Sequence, residues 1–316
     1  MATSVQRYLP EHKAAWDEFV HGAKNATFLF YRDYMGYHDS RFSDHSLMIE
    51  RDGALIALLP ANASAGVLES HGGLTYGGLI VGDQMTTALM MEVLEAVVDH
   101  AADAGFSALL YKTVPAIYHR RPAEEDRYAL FRAGAKLVRR DVLSVLEPAD
   151  GMPSQQRRRR AISKATKAGL VIIEDADFAA FWLILETLLD QHHGTAPVHA
   201  LDEIEVLHSR FPEHIRLFTT RDGAGNIQAG AVIYESHRVA HVQYMATTKH
   251  GRDCGALDLC LAHLIGDAFA DKPWIDLGIS NEKEGRILNE GLIGFKEGFG
   301  ARALVHDFYR LEIPAA

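Results

Sequence analysis

The chain has 316 residues, of which 48% are hydrophobic, and its formal net charge at pH 7 is −10. This length is enough for two cores of ordinary size, and the acidic balance excludes a general attraction to nucleic acid or anionic lipid, so any polyanion would need a local basic patch. Cys254 and Cys260 are the only cysteines, and no signal peptide or long apolar run is found, which predicts a cytoplasmic protein with reduced thiols and no membrane insertion.

The sequence pattern of the first half predicts short strands that alternate with helices. Asp52-Gly53 is a strong hairpin signal, and Gly105 closes the longest apolar helix. Strands are expected at 5–9, 46–50, 54–61, 107–112 and 135–147, and helices at 11–24, 31–39, 84–104 and 124–133. The Pro- and Gly-containing stretch 149–153 is the best linker, so we predict domains at 1–148 and 154–316.

The second half opens with a basic helix and continues into a predicted antiparallel meander. Helices are expected at 154–168, 178–192, 202–209 and 254–270, and strands at 171–174, 215–220, 227–235, 239–247, 274–277 and 302–313. Residues 157–160 are four consecutive arginines, which helical periodicity spreads around the cylinder. This favours a solvated helix, with a phosphate or tRNA contact as the alternative.

The C-terminal segments of the two halves of the chain have a similar sequence pattern. Gly134 and Gly300 lie 166 residues apart, and each precedes an apolar, β-prone run that contains an aspartate seven residues on and stops at a proline. The same order of strands, helix and strand precedes both glycines. This repeat predicts two domains of one fold, with a ligand cleft between them.

Three segments of the second half resemble the FemAB family. They are Trp274-Ile275-Asp276-Leu277-Gly278, Phe295-Lys296-Glu297-Gly298-Phe299-Gly300, and the basic start at 157–170. The resemblance implies an α+β fold of two tandem GNAT-like (acyl-CoA N-acyltransferase) domains, each a mixed, mostly antiparallel sheet flanked by helices. It also implies a bacterial acyltransferase that uses acyl-CoA or aminoacyl-tRNA and no metal.

The donor loop of GNAT proteins is only partly matched. Arg252, Gly255 and Ala256 fit a pyrophosphate-binding loop before a helix, so we predict that they bind the cofactor, but Asp253 places a negative charge there. Acyl-CoA and aminoacyl-tRNA therefore both remain alternatives for the acyl donor. A small amine or sugar nucleotide is the expected acceptor, tRNA is the less favoured partner, and the chain is expected to be a monomer or homodimer.

The segment 70–78 is the densest special segment of the chain. Its four glycines permit close backbone approach, while a histidine and a tyrosine supply a group that titrates near neutrality and a hydroxyl. The alternative is a bulged strand with irregular turns. We predict His71 as a catalytic residue and Ser70, Gly72, Gly73 and Tyr76 as substrate-binding residues.

Lys296 is the first predicted catalytic residue of the second half. It is expected in a glycine-flanked turn before the last strand, where a cation stabilises the oxyanion formed when an amine attacks an ester or thioester. Glu282 or Glu284, in a polar loop after strand 274–277, is predicted to orient a water or take the proton of the amine, and Glu282 is the residue that we select. A solvated surface charge is the alternative for each.

Other residues are predicted to bind the substrate with less specific signals. The loop after the helix at 178–192 contributes histidines, with simple helix termination as the alternative, and metal ligation is disfavoured because no carboxylate lies at ligand spacing. Aromatic and basic residues after strand 107–112 suit a nucleotide or sugar phosphate. The remaining predicted substrate-binding residues are Tyr31, His38, Arg41, Lys112, Tyr118, His193, His199, Tyr244, Asn289 and Phe295.

Two functions follow. The first is an N-acyltransferase that transfers an acyl or aminoacyl group to an amine, for which the resemblance implies an amino sugar or cell-envelope precursor. The second is a non-catalytic ligand-binding protein on a duplicated GNAT fold, favoured by the negative charge of Asp253 in the donor loop.

Overall fold

The computed structural model describes residues 3–151, 155–193 and 195–314, with the backbone alone for His192 and His193. Residues 152 and 153 of the predicted linker lie outside this part of the chain. Contacts divide the chain into two units. Unit 1 comprises Met1–Asp141, Glu284–Arg286 and Val305–Ala316, and unit 2 comprises Val142–Lys283 and Ile287–Leu304.

The first half of the chain alternates strands with helices as predicted. Its helices are α1 (Lys13–Gly22), α2 (Arg32–Met35), α3 (Thr87–Asp103) and α4 (Glu125–Arg132). Its strands are β1 (Thr3–Arg7), β2 (Ser43–Asp44), β3 (Leu47–Arg51), β4 (Ala54–Leu59), β5 (Asn62–Ser64), β6 (Val67–Glu69), β7 (Ile80–Val81), β8 (Ala108–Lys112) and β9 (Lys136–Leu146). The predicted hairpin is β3–β4, whose turn places Asp52 and Gly53 at positive φ.

Unit 1 contains a small antiparallel sheet in the order β1-β3-β4-β7. Its other strands run β8-β6-β5-β2, with β6 parallel to β8. Apolar residues of α3 such as Val93 and Val97 are fully buried against these strands. The Tyr111 hydroxyl lies in this core, where it donates to Asp126 Oδ2 over 2.7 Å and accepts from the Leu79 N–H. A buried polar group is thus satisfied on both sides, which fixes the chain just after the glycine-rich segment.

The second half begins with α5 (Gln156–Lys167) and contains most of the remaining elements. Its other helices are α6 (Phe178–His193), α7 (Leu201–Arg210), α8 (Lys249–Cys254), α9 (Ala256–His263, continued by a π-helical turn Leu264–Ala268) and α10 (Glu290–Glu297). Its strands are β10 (Val171–Asp175), β11 (Ile215–Arg221), β12 (Ile227–Glu235), β13 (Val239–Thr247), β14 (Trp274–Ile279), β15 (Asn281–Glu282), β16 (Ile287–Leu288) and β17 (Arg302–Glu312).

The sheet of unit 2 runs in the order β10-β11-β12-β13-β14-β9. The meander β11–β13 is antiparallel as predicted, and β14 is parallel to β13. Cys260, Leu261 and Leu264 are buried with Phe218 and Ile275 of the sheet. This mixed sheet with α9 packed against it confirms the α+β class.

The last strand of each repeat pairs with a strand of the other repeat. In unit 1, Phe308 of β17 pairs with Lys112 of β8, and the antiparallel register continues along both strands. In unit 2, Leu146 of β9 pairs with Ile275 of β14, also antiparallel. The two repeats have therefore exchanged their final strands.

Two sequence-based element predictions need correction. Lys296 lies in the last turn of the helix α10, rather than in a turn before the last strand. The single helix predicted at 254–270 is interrupted, because Gly255 adopts a left-handed conformation (φ 83°) between α8 and α9. A helix already formed at Lys249 was missed because the glycines at 251 and 255 resemble a loop.

Candidate active site

Lys296 is a buried lysine in unit 2. The Asn289 side chain accepts from the Leu292 N–H (3.0 Å) and begins α10, which carries Lys296 in its last turn. The side chain is 2% exposed, and its Nζ donates to the carbonyl oxygens of Gly278 (3.0 Å) and Ile279 (2.6 Å). Burial lowers the pKa of Lys296 to about 8, and the attraction of Asp276 offsets part of this shift.

The Asp276 carboxylate makes two contacts that hold the end of β14. Its Oδ1 accepts from the Gly278 N–H (2.7 Å), and its Oδ2 lies 2.9 Å from His241 Nδ1. Gly278 has a φ of 76°, a left-handed conformation that glycine adopts readily. The two acceptors of Lys296 therefore come from a strand end held by Asp276. Sequence reasoning used Asp276 only as part of a family motif and missed His241, whose lone position on a strand gave no signal.

Glu282 and Asn289 come together in unit 2. The polar loop predicted after β14 is in part a hairpin of β15 and β16, and the Asn289 Nδ2 donates to Glu282 Oε1 over 3.1 Å. Glu282 is exposed. Phe295, one residue before Lys296, carries the Arg158 guanidinium over its ring at 4.4 Å.

The predicted donor loop packs against α5. A Cβ at Gly255 would lie 2.5 Å from the Ala161 carbonyl oxygen, and Ala256 is fully buried. Lys164 of α5 also donates to the Asp253 carbonyl (2.7 Å) at the end of α8. Arg252 remains exposed on α8. The local need for glycine at 255 is thus explained by helix packing.

The histidine loop brings two predicted residues together. His199 is 3% exposed, and its Nδ1 lies 2.6 Å from the Tyr244 hydroxyl on β13. The His199 carbonyl accepts from the Trp182 indole N–H at 3.3 Å. His193 is placed at the end of α6 by its backbone, and its side chain lies outside the described part of the chain.

In unit 1 the glycine-rich segment is a compact loop between β6 and β7. A Cβ at Gly77 would lie 2.2 Å from the Ser70 carbonyl oxygen, and one at Gly78 would lie 2.8 Å from the Tyr111 hydroxyl. These glycines are needed because the loop folds back on its own backbone and on β8. The Gly72 N–H donates to Asn62 Oδ1 (2.7 Å).

Lys112 is held beneath this loop at the end of β8. Its Nζ donates to the carbonyls of His71 (3.2 Å) and Leu74, and its backbone N–H donates to Ser70 Oγ (2.6 Å). Desolvation lowers the pKa of Lys112 to about 8, and the charge of Arg139 contributes to this. Lys112 and Lys296 thus share a design: a lysine with a lowered pKa, bound to two backbone carbonyls.

His71 is neutral at physiological pH. Burial, with smaller contributions from His38 and Lys112, lowers its pKa to about 3. Its ring stacks on that of His38 at 4.9 Å, and its φ is 48°. A group with this pKa is a poor proton acceptor near neutrality. His71 instead contributes its backbone carbonyl oxygen, which accepts a hydrogen bond from Lys112 Nζ.

The other predicted residues of unit 1 make contacts with one another or with neighbouring side chains. Tyr76 and Tyr118 are buried together, with ring centroids 4.4 Å apart, and the Tyr76 hydroxyl donates to Thr27 Oγ1 (3.0 Å). The Tyr31 hydroxyl lies 3.4 Å from His21 Nδ1. Arg41 lies over the Tyr37 ring at 5.5 Å. Gly73 packs against His38, where a Cβ would lie 2.5 Å from Nε2.

A cavity of about 260 Å³ opens beside Lys112, entirely within unit 1. Its lining combines predicted residues with several that sequence reasoning missed. The lining residues are Glu69, Ser70, Gly72, Leu110, Lys112, Val138, Arg139, Glu284 and Phe308. Glu69 could have been found from its position next to the glycine-rich segment, and Glu284 is the alternative to Glu282 in the predicted polar loop, whereas the distant position of Arg139 carries no local signal.

The described residues contain neither a cluster of metal ligands nor a helix able to span a membrane. Within residues 3–151, 155–193 and 195–314, no group of three or more histidine, cysteine or acidic side chains could hold a metal ion. None of the helices in the same part of the chain combines the length and apolar character needed to cross a membrane.

Comparison with known sequences identifies the second half. Residues 154–286 match the family model for the acetyltransferase (GNAT) domain. No curated protein sequence matches the chain at a significant level. The matched region includes β14 and ends ten residues before Lys296.

Comparison with solved structures extends the likeness to the whole chain. FemX superposes with a TM-score of 0.68 at 11% identity, covering 99% of this chain and 97% of FemX. L-PGS from Bacillus licheniformis gives 0.60 at 12% identity, with 98% and 93% covered. A tandem GNAT protein from the clavulanic acid biosynthesis pathway gives 0.55 at 12% identity, with both chains fully covered.

These likenesses confirm the predicted tandem GNAT fold. At such low identity the structural neighbours show the fold alone, and the family match supplies the acetyltransferase character. The chain thus contains an acetyltransferase (GNAT) domain at residues 154–286 and shares the fold of FemX over nearly its full length.

Proposed function

We propose that the protein is an N-acyltransferase that transfers an acyl or aminoacyl group from an activated donor to an amine, with Lys296 stabilising the oxyanion. The observation that carries this proposal is the buried ammonium of Lys296. Two of its three N–H bonds are directed at the carbonyls of Gly278 and Ile279, and the third finds no acceptor among the described residues. We propose that this third N–H donates to a substrate oxygen.

The proposed reaction is direct attack by the amine. A neutral amine adds to the acyl carbonyl carbon, forming a C–N bond and placing the carbonyl electron pair on oxygen as an oxyanion. The Lys296 ammonium donates to this oxygen, which lowers the barrier because the charge develops only in the transition state. Collapse of the intermediate breaks the bond to the donor's thiol or ribose oxygen, which leaves with the electron pair.

The amine must also lose a proton. We propose Glu282 as the acceptor, because its carboxylate is exposed and oriented by Asn289. The proton then passes to the leaving group, so that charge balances over the cycle. His71 is assigned to positioning Lys112 through its carbonyl.

The donor is acyl-CoA or aminoacyl-tRNA. The family match supports acyl-CoA, since it is an acetyltransferase domain. FemX and L-PGS share the fold only. Arg252 is the proposed phosphate contact, and the amine acceptor is a small molecule, with an amino sugar or cell-envelope precursor as the proposed class. The family match favours this enzyme over the non-catalytic alternative.

The test is donor-dependent transfer by the wild type and by Lys296→Met. Acetyl-CoA and longer acyl-CoAs are incubated with a panel of amines, and thiol release and the acylated amine are measured; aminoacyl-tRNA is assayed by the labelled aminoacyl product. Lys296→Met is expected to lower kcat by about 100-fold, the usual effect of losing an oxyanion donor.

Lys272→Met is the matched control. Lys272 also lies in unit 2 and donates to a backbone carbonyl, that of Ser236 (2.9 Å). It is expected to keep the wild-type rate, with both variants folded by thermal unfolding. Equal turnover by Lys296→Met and the wild type would remove Lys296 from the mechanism, and no transfer from any donor would refute the proposed function.

A further inference from the structure

The cavity beside Lys112 has a balanced set of charges. Two cations, Lys112 and Arg139, and two carboxylates, Glu69 and Glu284, line it together. The remaining walls include the apolar side chains of Leu110, Val138 and Phe308. A single inorganic ion would be attracted by one pair of these charges and repelled by the other, whereas a ligand that carries both charges would be attracted by both pairs.

The two cations are held in place by groups outside the ligand space. Asp141 binds Arg139 through Nε and Nη2 (3.0 and 2.7 Å), and the guanidinium lies over the Phe308 ring at 4.5 Å. Arg139 Nη1 has no hydrogen-bond partner among the described residues. Lys112 Nζ likewise donates two hydrogen bonds to backbone carbonyls, and its third N–H has no acceptor among the described residues. Both cations thus retain one donor each.

The two carboxylates retain acceptor capacity. Glu284 makes no ion pair within the described residues and stands at a left-handed position (φ 55°) in the turn between β15 and β16. Glu69 accepts only a long contact, 3.5 Å, from Asn62 Nδ2. A ligand ammonium can therefore be bound by carboxylate oxygens while the ligand carboxylate is bound by nitrogen donors.

Size and wall chemistry restrict the ligand further. A volume of about 260 Å³ lies below the range of about 300–1,000 Å³ typical of drug-sized ligands, so the occupant is small. The Phe308 ring and the aliphatic walls favour an apolar side chain.

We infer that this cavity binds a small zwitterion with an apolar side chain, an α-amino acid or short peptide whose carboxylate meets Arg139 and Lys112 and whose ammonium meets Glu284 and Glu69. The inference goes beyond the proposed function, since it assigns a binding site in unit 1 and no step of the transfer reaction.

Isothermal titration calorimetry of the full chain tests binding directly. The zwitterionic probes are L-leucine, L-phenylalanine and L-alanyl-L-leucine. The best binder is then compared with its N-acetyl and methyl-ester forms, which each remove one charge. We expect both blocked forms to bind at least 10-fold more weakly than the zwitterion. Blocked forms that bind equally well, or no binding by any of the three probes, would overturn the inference.

Two variants with matched controls locate the site. Arg139→Gln and Glu284→Gln are each expected to raise the Kd of the best probe about 10-fold. Arg132→Gln on α4 and Glu95→Gln on α3, both exposed residues of unit 1, are expected to leave it unchanged. Unchanged binding in the first pair also overturns the assignment.

The same samples are assayed for transfer, which separates the two proposals. Binding of the zwitterion without transfer from any donor would refute the proposed function and leave the cavity assignment in place. Transfer to an amine that lacks a carboxylate, with no binding of the three probes, would refute the cavity assignment and support the proposed function.

Discussion

Lys296 combines burial with a pKa that lies close to physiological pH. Burial lowers its pKa to about 8, so the ammonium that is proposed to stabilise the oxyanion is lost as pH rises through that value. We expect kcat to fall above about pH 8 in the wild type. Measuring kcat at saturating substrates between about pH 6 and pH 10 tests this.

The control for this pH profile is Lys296→Met. Its remaining activity is expected to lack the decline centred near the pKa of Lys296, about 8. Lys272→Met should keep it. A decline at the same pH in Lys296→Met would assign the titration to another group.

The same lysine links stability to pH. Its folded-state pKa lies below the ordinary value of 10.5, so the unfolded state binds more protons between about pH 8 and pH 10.5. The free energy of unfolding of the wild type should therefore rise across this window relative to Lys296→Met, by up to about 3 kcal/mol. Urea unfolding of both proteins at several pH values measures the difference, and parallel pH dependences would contradict it.

At the scale of elements, Gly255 joins two helices and approaches a third. Gly255→Ala would place a Cβ 2.5 Å from the Ala161 carbonyl oxygen and force a left-handed conformation on alanine. We expect a loss of roughly 3 kcal/mol in urea unfolding. Gly169→Ala is the matched control, since Gly169 has a φ of 72° and nothing within 4 Å, and should cost only about 1 kcal/mol. Equal losses would show that α5 yields to the added methyl group.

Local sequence signals predicted elements better than contacts between them. Asp52-Gly53 correctly predicted the β3–β4 hairpin, because turn geometry depends on adjacent residues. The pattern at 250–256 favoured a phosphate loop, whereas Gly255 is explained by the close approach of α5, which no local pattern encodes.

The arginine block shows the same limit. Helical periodicity correctly spread its members around α5, but could not show that Arg158 is buried, pairs with Asp258 at 2.6 Å and stacks on Phe295. The candidate site divides similarly. Lys296, Lys112 and, as an alternative to Glu282, Glu284 were predicted as site residues, while the cavity's Arg139 comes from a strand far from the recognised motifs.

At the scale of the whole molecule, the exchanged strands make each half of the sequence incomplete. The repeats 1–148 and 154–316 remain our prediction of the ancestral domains, but β8 of unit 1 pairs with β17 from the end of the chain. We expect the fragment 1–148 to lack a cooperative unfolding transition. In this fragment β8 has no β17 to pair with, and the buried side chains of β17 are missing. Circular dichroism during urea unfolding measures this.

A peptide covering β17 provides the complementary arm. Residues 302–314 added to the fragment should restore a transition, since Phe308 and Leu311 are both buried in the full chain. A peptide with both residues changed to aspartate should not. Cooperative unfolding of the fragment alone, with the stability of the full chain, would show that unit 1 does not need the exchanged strand.

Because the final strands are exchanged, unit 1 cannot be completed on the ribosome until β17 has been synthesised. The strand that completes unit 1 is synthesised 166 residues after the corresponding strand β9. At about 5–20 residues per second, the edge of β8 stays open on the order of 10 s in every round of synthesis. An open apolar edge is a site for aggregation, so we expect the nascent N-terminal half to bind chaperones until β17 has been synthesised.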